Sequence, residues 1–231
     1  MTQGPAVQPP GQGAVDPAAL IPAFGAGTRT RVKICGCTTP AEVAAAAAAG
    51  ADAVGLIFAP SPRRVSLTQA VSAHRGAPPG LTVVGVFVNP APAQVAAILA
   101  RLPGLVLQFS GEEPPDFCVR FAATYIKAIA VTGDFTTTLG RHPQALALLE
   151  TPSQQRGGSG RTFAWDTVAQ LVRDRPALVG GGLDPDNVAD CVRRLRPHGV
   201  DVRTGVESAG VRDQGKVRAF IEAVRSADAL P

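Results

Sequence analysis

The chain has 231 residues, 45% of them apolar and 17% charged, a length and composition that suit one large domain with a sizeable core and exclude a disordered chain. Twenty-two basic residues against 18 acidic give a net charge of +4. The basic residues are nearly all arginine, with lysine only at positions 33, 127 and 216. No basic run exceeds two residues and none alternates with aromatics, which argues against nucleic acid as a partner. The apolar stretches fall far short of the ~20 residues needed to span a membrane.

Cysteines 35, 37, 118 and 191 do not make a disulfide scaffold in a chain this long, and no pair has zinc-ligand spacing. Cytoplasm is the expected compartment. Residues 1–28 carry neither a basic n-region nor a continuous apolar h-region and read as a disordered, Pro/Gly/Ala-rich extension, with the ordered domain over 29–231.

From Val32 onward a short apolar run, a loop and a helix-length segment recur. Val32–Cys35 precedes a helix over 41–49, opened by Thr39-Pro40 and closed by Gly50. Residues 53–58 precede a helix over 67–74. The run 82–88 leads through Asn89-Pro90 into a helix over 91–101, and 105–108 leads into a short one around 115–122. Residues 125–130 are followed by a weak helix from Asp134, and 146–150 by a Gly-rich loop and a helix over 163–173. The last two units pair 177–179 with 185–195 and 200–202 with 213–228. Continuous apolar runs suit parallel strands buried on both faces. An open doubly wound sheet also alternates, but eight units at roughly 25 residues each favour a single-domain (β/α)₈ TIM barrel.

In such a barrel the functional groups stand at the C-terminal ends of the strands. Cys35 ends the first, in Lys33-Ile34-Cys35-Gly36, where a thiol beside a lysine can ionise and act as base or nucleophile; it could equally be a small buried apolar residue. Glu150 ends the sixth, where poor solvation would raise its pKa and suit it to acid catalysis; the plain alternative is a cap or an arginine partner. Gly157-Gly158-Ser159-Gly160 and Gly180-Gly181-Gly182, with Thr204-Gly205, offer bare backbone N–H groups after late strands, a cradle for phosphate, although glycine loops often mean only tight turns. Arg63 or Arg64 could grip a carboxylate. The histidines, 74, 142 and 198, fall away from the predicted mouth, which disfavours Ser-His-Asp catalysis and a histidine-held metal.

These segments resemble the phosphoribosylanthranilate isomerase family: Val32 to Gly36, Ser61-Pro62-Arg63, Val86 to Asn89, Gln108 to Glu112, Gly157 to Gly160 with Thr162-Phe163 and Trp165, Gly181-Gly182-Leu183 with Pro185 and Asn187-Val188, and Val200 to Val202 with Gly205-Val206-Glu207. The resemblance implies a cofactor-free, metal-free Amadori rearrangement in tryptophan biosynthesis, turning N-(5-phosphoribosyl)anthranilate into its carboxyphenylamino-deoxyribulose 5-phosphate isomer. It implies an enzyme of the aldose-ketose type, an intramolecular oxidoreductase, working on a small phosphosugar as monomer or homodimer. Cys35 would be the base and Glu150 the acid. Lys33, Arg63, Gln108 and Asp201 would bind substrate, with Arg63 taking the anthranilate carboxylate. Gly158, Ser159, Gly160, Gly181, Gly182, Thr204 and Gly205 would bind phosphate.

The chain departs from the family pattern at four places. Glu150 stands for an aspartate, Phe109-Ser110-Gly111 follows Gln108 where histidine is usual, Arg203-Thr204 replaces Ser-Ser, and Ala164 replaces the aspartate before Trp165. These departures motivate the competing reading of a degenerate barrel that binds a phosphorylated metabolite with weak or no turnover. A histidine-pathway isomerase would carry aspartate at position 35, and a metal-dependent epimerase would need histidines at the strand ends.

Overall fold

The computed structural model describes residues 21, 24, 29–122, 124–152 and 162–229. Eight parallel strands close into a barrel in sequence order: β1 (Arg31–Cys35), β2 (Ala53–Ile57), β3 (Thr82–Phe87), β4 (Val106–Phe109), β5 (Tyr125–Ala130), β6 (Ala145–Glu150), β7 (Ala177–Val179) and β8 (Gly199–Val202). β8 returns to β1 with Lys33 opposite Asp201 and Ile34 opposite Val202, so the seam lies directly beside Cys35.

A helix follows each strand: α1 (Pro40–Ala49), α2 (Leu67–Arg75), α3 (Pro92–Leu99), α4 (Pro115–Val119), α5 (Phe135–Arg141), α6 (Ala169–Asp174), α7 (Val188–Leu195) and α8 (Gln214–Asp228). Local chemistry sets several of their ends. The Thr39 side chain accepts from the Glu42 N–H at the start of α1, Pro40 occupies the first turn, and Gly50 ends it at φ 99°. Ser66 and Gln69 form a reciprocal capping box on α2, and Asp213 accepts from two backbone N–H groups at the start of α8.

Three local features differ from the periodicity. The helix expected over 163–173 is split into a 3₁₀ turn, Trp165–Val168, and the short α6. α7 starts three residues later than the Pro185 signal suggests, because the Asp184 carboxylate accepts from the N–H groups of Asp186 and Asn187 and holds those residues in a turn. A two-residue hairpin, β9 (Glu207–Ser208) and β10 (Val211–Arg212), follows β8 and is too short to leave an apolar pattern.

Every residue of β2 and β3 is buried, as two-sided strands require. Inside the barrel, Ala53, Val84, Ile126, Leu146 and Leu178 belong to one apolar cluster, while a larger one fills the space between strands and helices. An aromatic row, Phe58–Phe87–Phe109–Tyr125, runs through the larger cluster, with neighbouring ring centroids 5.2 to 6.1 Å apart. Ile21 and Phe24, which lie in the stretch expected to be a disordered extension, are fully buried in the interior cluster, and the Phe24 carbonyl lies 2.6 Å from His198 Nε2.

Candidate active site

β1 presents Lys33 and Cys35 on the same face, two residues apart, pointing into the barrel. Across the seam the Lys33 ammonium donates to Asp201 Oδ1 at 2.6 Å, and the lysine is wholly buried. Burial alone would lower the Lys33 pKa, but the Asp201 carboxylate outweighs it and holds the ammonium above its ordinary value. Gly55 on the neighbouring strand makes room for both groups: a Cβ there would lie 2.9 Å from the Cys35 sulfur and 3.4 Å from Lys33 Nζ.

At the C-terminal mouth, Cys35 and Glu150 line one pocket together with Gln108, Ser110, Gly181, Gly182, Asp201, Arg203 and Thr204. Its other side, formed by Ile57, Ala59, Pro60, Ser61, Val86 and Val88, is largely apolar. Burial pushes the Cys35 thiol up, Asp201 and Glu150 add to that, and the charges of Lys33 and Arg203 oppose it. Burial, reinforced by Asp201, raises Glu150 to about 7 against the pull of Lys33 and Arg203. The result is a carboxyl that still holds a proton near neutrality, within the same cup as a thiol under a lysine's influence.

The loops after β7 and β8 interlock. Gly181 and Gly182 adopt φ 79° and 72°, and a Cβ on Gly181 would lie 2.4 Å from the Thr151 nitrogen. A Cβ on Gly205 would lie 1.9 Å from the Leu183 carbonyl oxygen. The Asn187 amide donates to the Gly182 carbonyl and accepts from the Asp184 N–H, fixing the first of these loops. Thr204 lines both the mouth and a neighbouring cleft that includes Gly205, Gly215 and Lys216.

Not every expected residue reaches the mouth. Lys33 lies beneath it and is absent from its lining, so it acts on the pocket through Asp201 and its own charge. Arg63 also stays out of the lining: its Nη2 donates to both Glu42 oxygens at 2.6 Å and its Nε to the Gly36 carbonyl at 2.9 Å. Gln108 is present, donating to Ser110 Oγ at 3.0 Å. The expected phosphate residues Gly158, Ser159 and Gly160 lie outside the described residues. Sequence reasoning missed Arg212 altogether. From β10 its Nη1 donates to the Arg203 carbonyl at 3.0 Å and its Nη2 to the Cys35 carbonyl, tying the ends of β8 and β1 together. Its only local signal is an arginine beside an exposed valine. Among the described residues no cluster of three metal-ligating side chains occurs.

Residues 32–223 match the family described as N-(5'phosphoribosyl)anthranilate (PRA) isomerase. This chain belongs to that family. The N-(5'-phosphoribosyl)anthranilate isomerase of Leptothrix cholodnii is 45% identical over 206 residues, covering 87% of this chain and 93% of its own. The crystal structure of phosphoribosyl anthranilate isomerase from Thermotoga maritima superposes with a TM-score of 0.79 at 33% identity, covering 85% of this chain and 99% of that one. A phosphoribosyl anthranilate isomerase in complex with reduced 1-(o-carboxyphenylamino)-1-deoxyribulose 5-phosphate gives a TM-score of 0.76 at 31% identity, with the same coverage. The family relationship and the closed barrel expected from the sequence are both borne out.

Proposed function

We infer that this chain is a phosphoribosylanthranilate isomerase of tryptophan biosynthesis in which Glu150 is the general acid and Cys35 the general base. The observation that carries the reading is that these two side chains, from opposite parts of the sequence, line one pocket at the barrel mouth. Protonated Glu150 donates to the furanose ring oxygen as the C1–O bond breaks and the anilino nitrogen forms an iminium. The Cys35 thiolate then removes the proton from C2, whose acidity the iminium raises, and the enolamine so formed tautomerises to the ketone. C1 is reduced as C2 is oxidised within one molecule, so the rearrangement balances without an external oxidant or reductant, as expected of an intramolecular aldose-ketose oxidoreductase.

In this reading Asp201 and Gln108, which line the mouth, orient the sugar, and Gly181, Gly182, Thr204 and Gly205 hold its phosphate through backbone N–H groups. A protein of this class would work in the cytoplasm, as a monomer or a homodimer; the relative from Thermotoga maritima is described as dimeric. The shared pocket favours turnover over the degenerate-barrel reading, because both proton-transfer groups line it. Purified Cys35→Ser and Glu150→Ala proteins are each expected to lose isomerase turnover by at least a hundredfold. Undiminished turnover in either removes that residue from its role. Growth of a bacterial strain that lacks the isomerase, when supplied with this chain, separates an enzyme from a mere binder.

A further inference from the structure

β5 carries a second buried lysine. Tyr125 and Ile129 pack in the cluster between strands and helices, and Ile126 and Ala128 in the interior one, so strand alternation puts Lys127 on the outer face of the barrel. It is 1% exposed and lines no part of the mouth. The loop after β4 folds over it instead. Its ammonium donates to Glu113 Oε2 and to the Gly111 carbonyl, each at 2.8 Å.

Glu113 is also buried and collects donors from two loops. Its Oε1 accepts from the Asn89 N–H, on the loop after β3, at 2.7 Å, and its Oε2 from the Gly111 N–H at 2.9 Å. Asn89 holds φ 46°, and its side chain accepts from the Glu112 N–H at 2.7 Å. The fit is close: a Cβ on Gly111 would lie 2.3 Å from Asn89 Oδ1 and 2.6 Å from Glu113 Oε1. One ion pair thus ties together the ends of β3, β4 and β5.

The residue just before this knot faces the mouth. Ser110 lines the pocket, its N–H donates to the Phe87 carbonyl at 2.8 Å, and its Oγ accepts from Gln108 Nε2 at 3.0 Å. Gln108 lines the pocket too, and its Oε1 is buried without a hydrogen-bond partner. Native structures rarely leave such an atom unpaired. With Nε2 committed to Ser110, Oε1 is the atom left for a hydroxyl or N–H donor of the substrate.

We propose that Lys127 and Glu113 are positioning residues of the isomerase, which touch no substrate but hold the Ser110–Gln108 arm so that the Gln108 carboxamide oxygen faces the sugar as an acceptor. The proposal rests on the isomerase reading and adds to it a pair on the outside of the barrel. Loss of the pair frees the Gly111 backbone, and Ser110, one residue away, shifts with it. A shift of ~1 Å at a substrate-positioning group can cost about a hundredfold in rate.

The test is a double-mutant cycle on kcat/KM with the full chain. Gln108→Met, which lacks the acceptor, is expected to lose at least tenfold. Lys127→Met/Glu113→Gln removes both charges together and leaves none orphaned. It should lower kcat/KM at least tenfold in the wild-type background but less than twofold on top of Gln108→Met, while the loss in Tm is the same in both. Asn89→Gly keeps the left-handed backbone, drops only the Glu112 contact and should repeat the pattern at smaller size, so a paired variant that does not fold leaves the test intact. Equal fold-losses in the two backgrounds, or unchanged kcat/KM in both, show a structural role alone and overturn the proposal. So does a Gln108→Met protein as active as wild type. Wild type without isomerase turnover sinks the isomerase reading and this proposal with it, a result distinct from the others.

Discussion

Lys33 and Asp201 meet at 2.6 Å across the seam that closes the barrel, directly below Cys35. Lys33 is wholly buried and Asp201 is 7% exposed, so each charge depends on the other for its solvation. Lys33→Met leaves the Asp201 carboxylate buried and unpaired and should cost about 3–5 kcal/mol, read as a lower denaturant midpoint. Lys33→Met/Asp201→Leu should recover most of that loss but not turnover, because the positive charge that favours the Cys35 thiolate is gone. A double variant as unstable as the single one would show that the pair is not the cause.

In the proposed roles the acid, Glu150, loses its proton before the base, Cys35, does, which is the reverse of what the pair needs. Glu150 lies at about 7 and the Cys35 thiol is pushed above its ordinary value, so the competent form, thiolate with protonated carboxyl, is a minority species at every pH. kcat/KM should rise with pH up to about 7 as thiolate accumulates, stay level while thiolate gained balances protonated Glu150 lost, and fall once the thiol is fully ionised. Thiol alkylation rates followed against pH would locate the upper limb independently. A rate that falls from pH 7 upward contradicts this order.

The raised Glu150 pKa also affects stability. Below the unfolded value near 4.5 both states hold the proton and there is no difference. Between 4.5 and about 7 the unfolded chain loses it first, so stability falls as pH rises, and above 7 the full penalty remains, on the order of 3 kcal/mol. Glu150→Gln should therefore be inactive yet more stable than wild type at pH 8, with the gap closing at pH 4. Equal gains at both pH values would mean that the effect is not the carboxylate's charge.

Gly205 lets the β8 loop pass against the Leu183 carbonyl, where a Cβ would stand 1.9 Å from the oxygen. Gly205→Ala must push the loops after β7 and β8 apart. The expected result is a KM for the phosphosugar raised about tenfold or more, a smaller change in kcat, and weaker inhibition by inorganic phosphate. A variant with unchanged KM would remove this turn from the phosphate site.

Phe24 is wholly buried in the barrel interior cluster. Phe24→Ala should cost about 3–5 kcal/mol through the cavity it leaves, measured as a lower Tm. Loss of under 1 kcal/mol would show that the barrel base is complete without it.

The barrel itself is legible along the chain because each unit carries its own signals. Apolar runs such as Ala145–Leu149 mark two-sided strands, and Thr39-Pro40, Ser66 with Gln69, and Asp213 mark helix starts. Cys35 and Glu150 are legible for the same reason, since a polar residue that ends an apolar run in a closed parallel barrel stands at the mouth. The Trp165 turn, the delayed start of α7 and the β9–β10 hairpin are not legible, because side-chain contacts over a few residues override the helical period there.

Local pattern thus determined the architecture, the family and the strand ends that bear chemistry, all properties of short segments read one at a time. Tertiary structure alone decided which charges pair. Lys33 finds Asp201 168 residues away, Arg63 is taken by Glu42, and Arg212 reaches back across 177 residues to the Cys35 carbonyl. Whether a cation faces substrate or a buried partner depends on which strands the closed barrel makes neighbours, and that relation has no trace in sequence spacing.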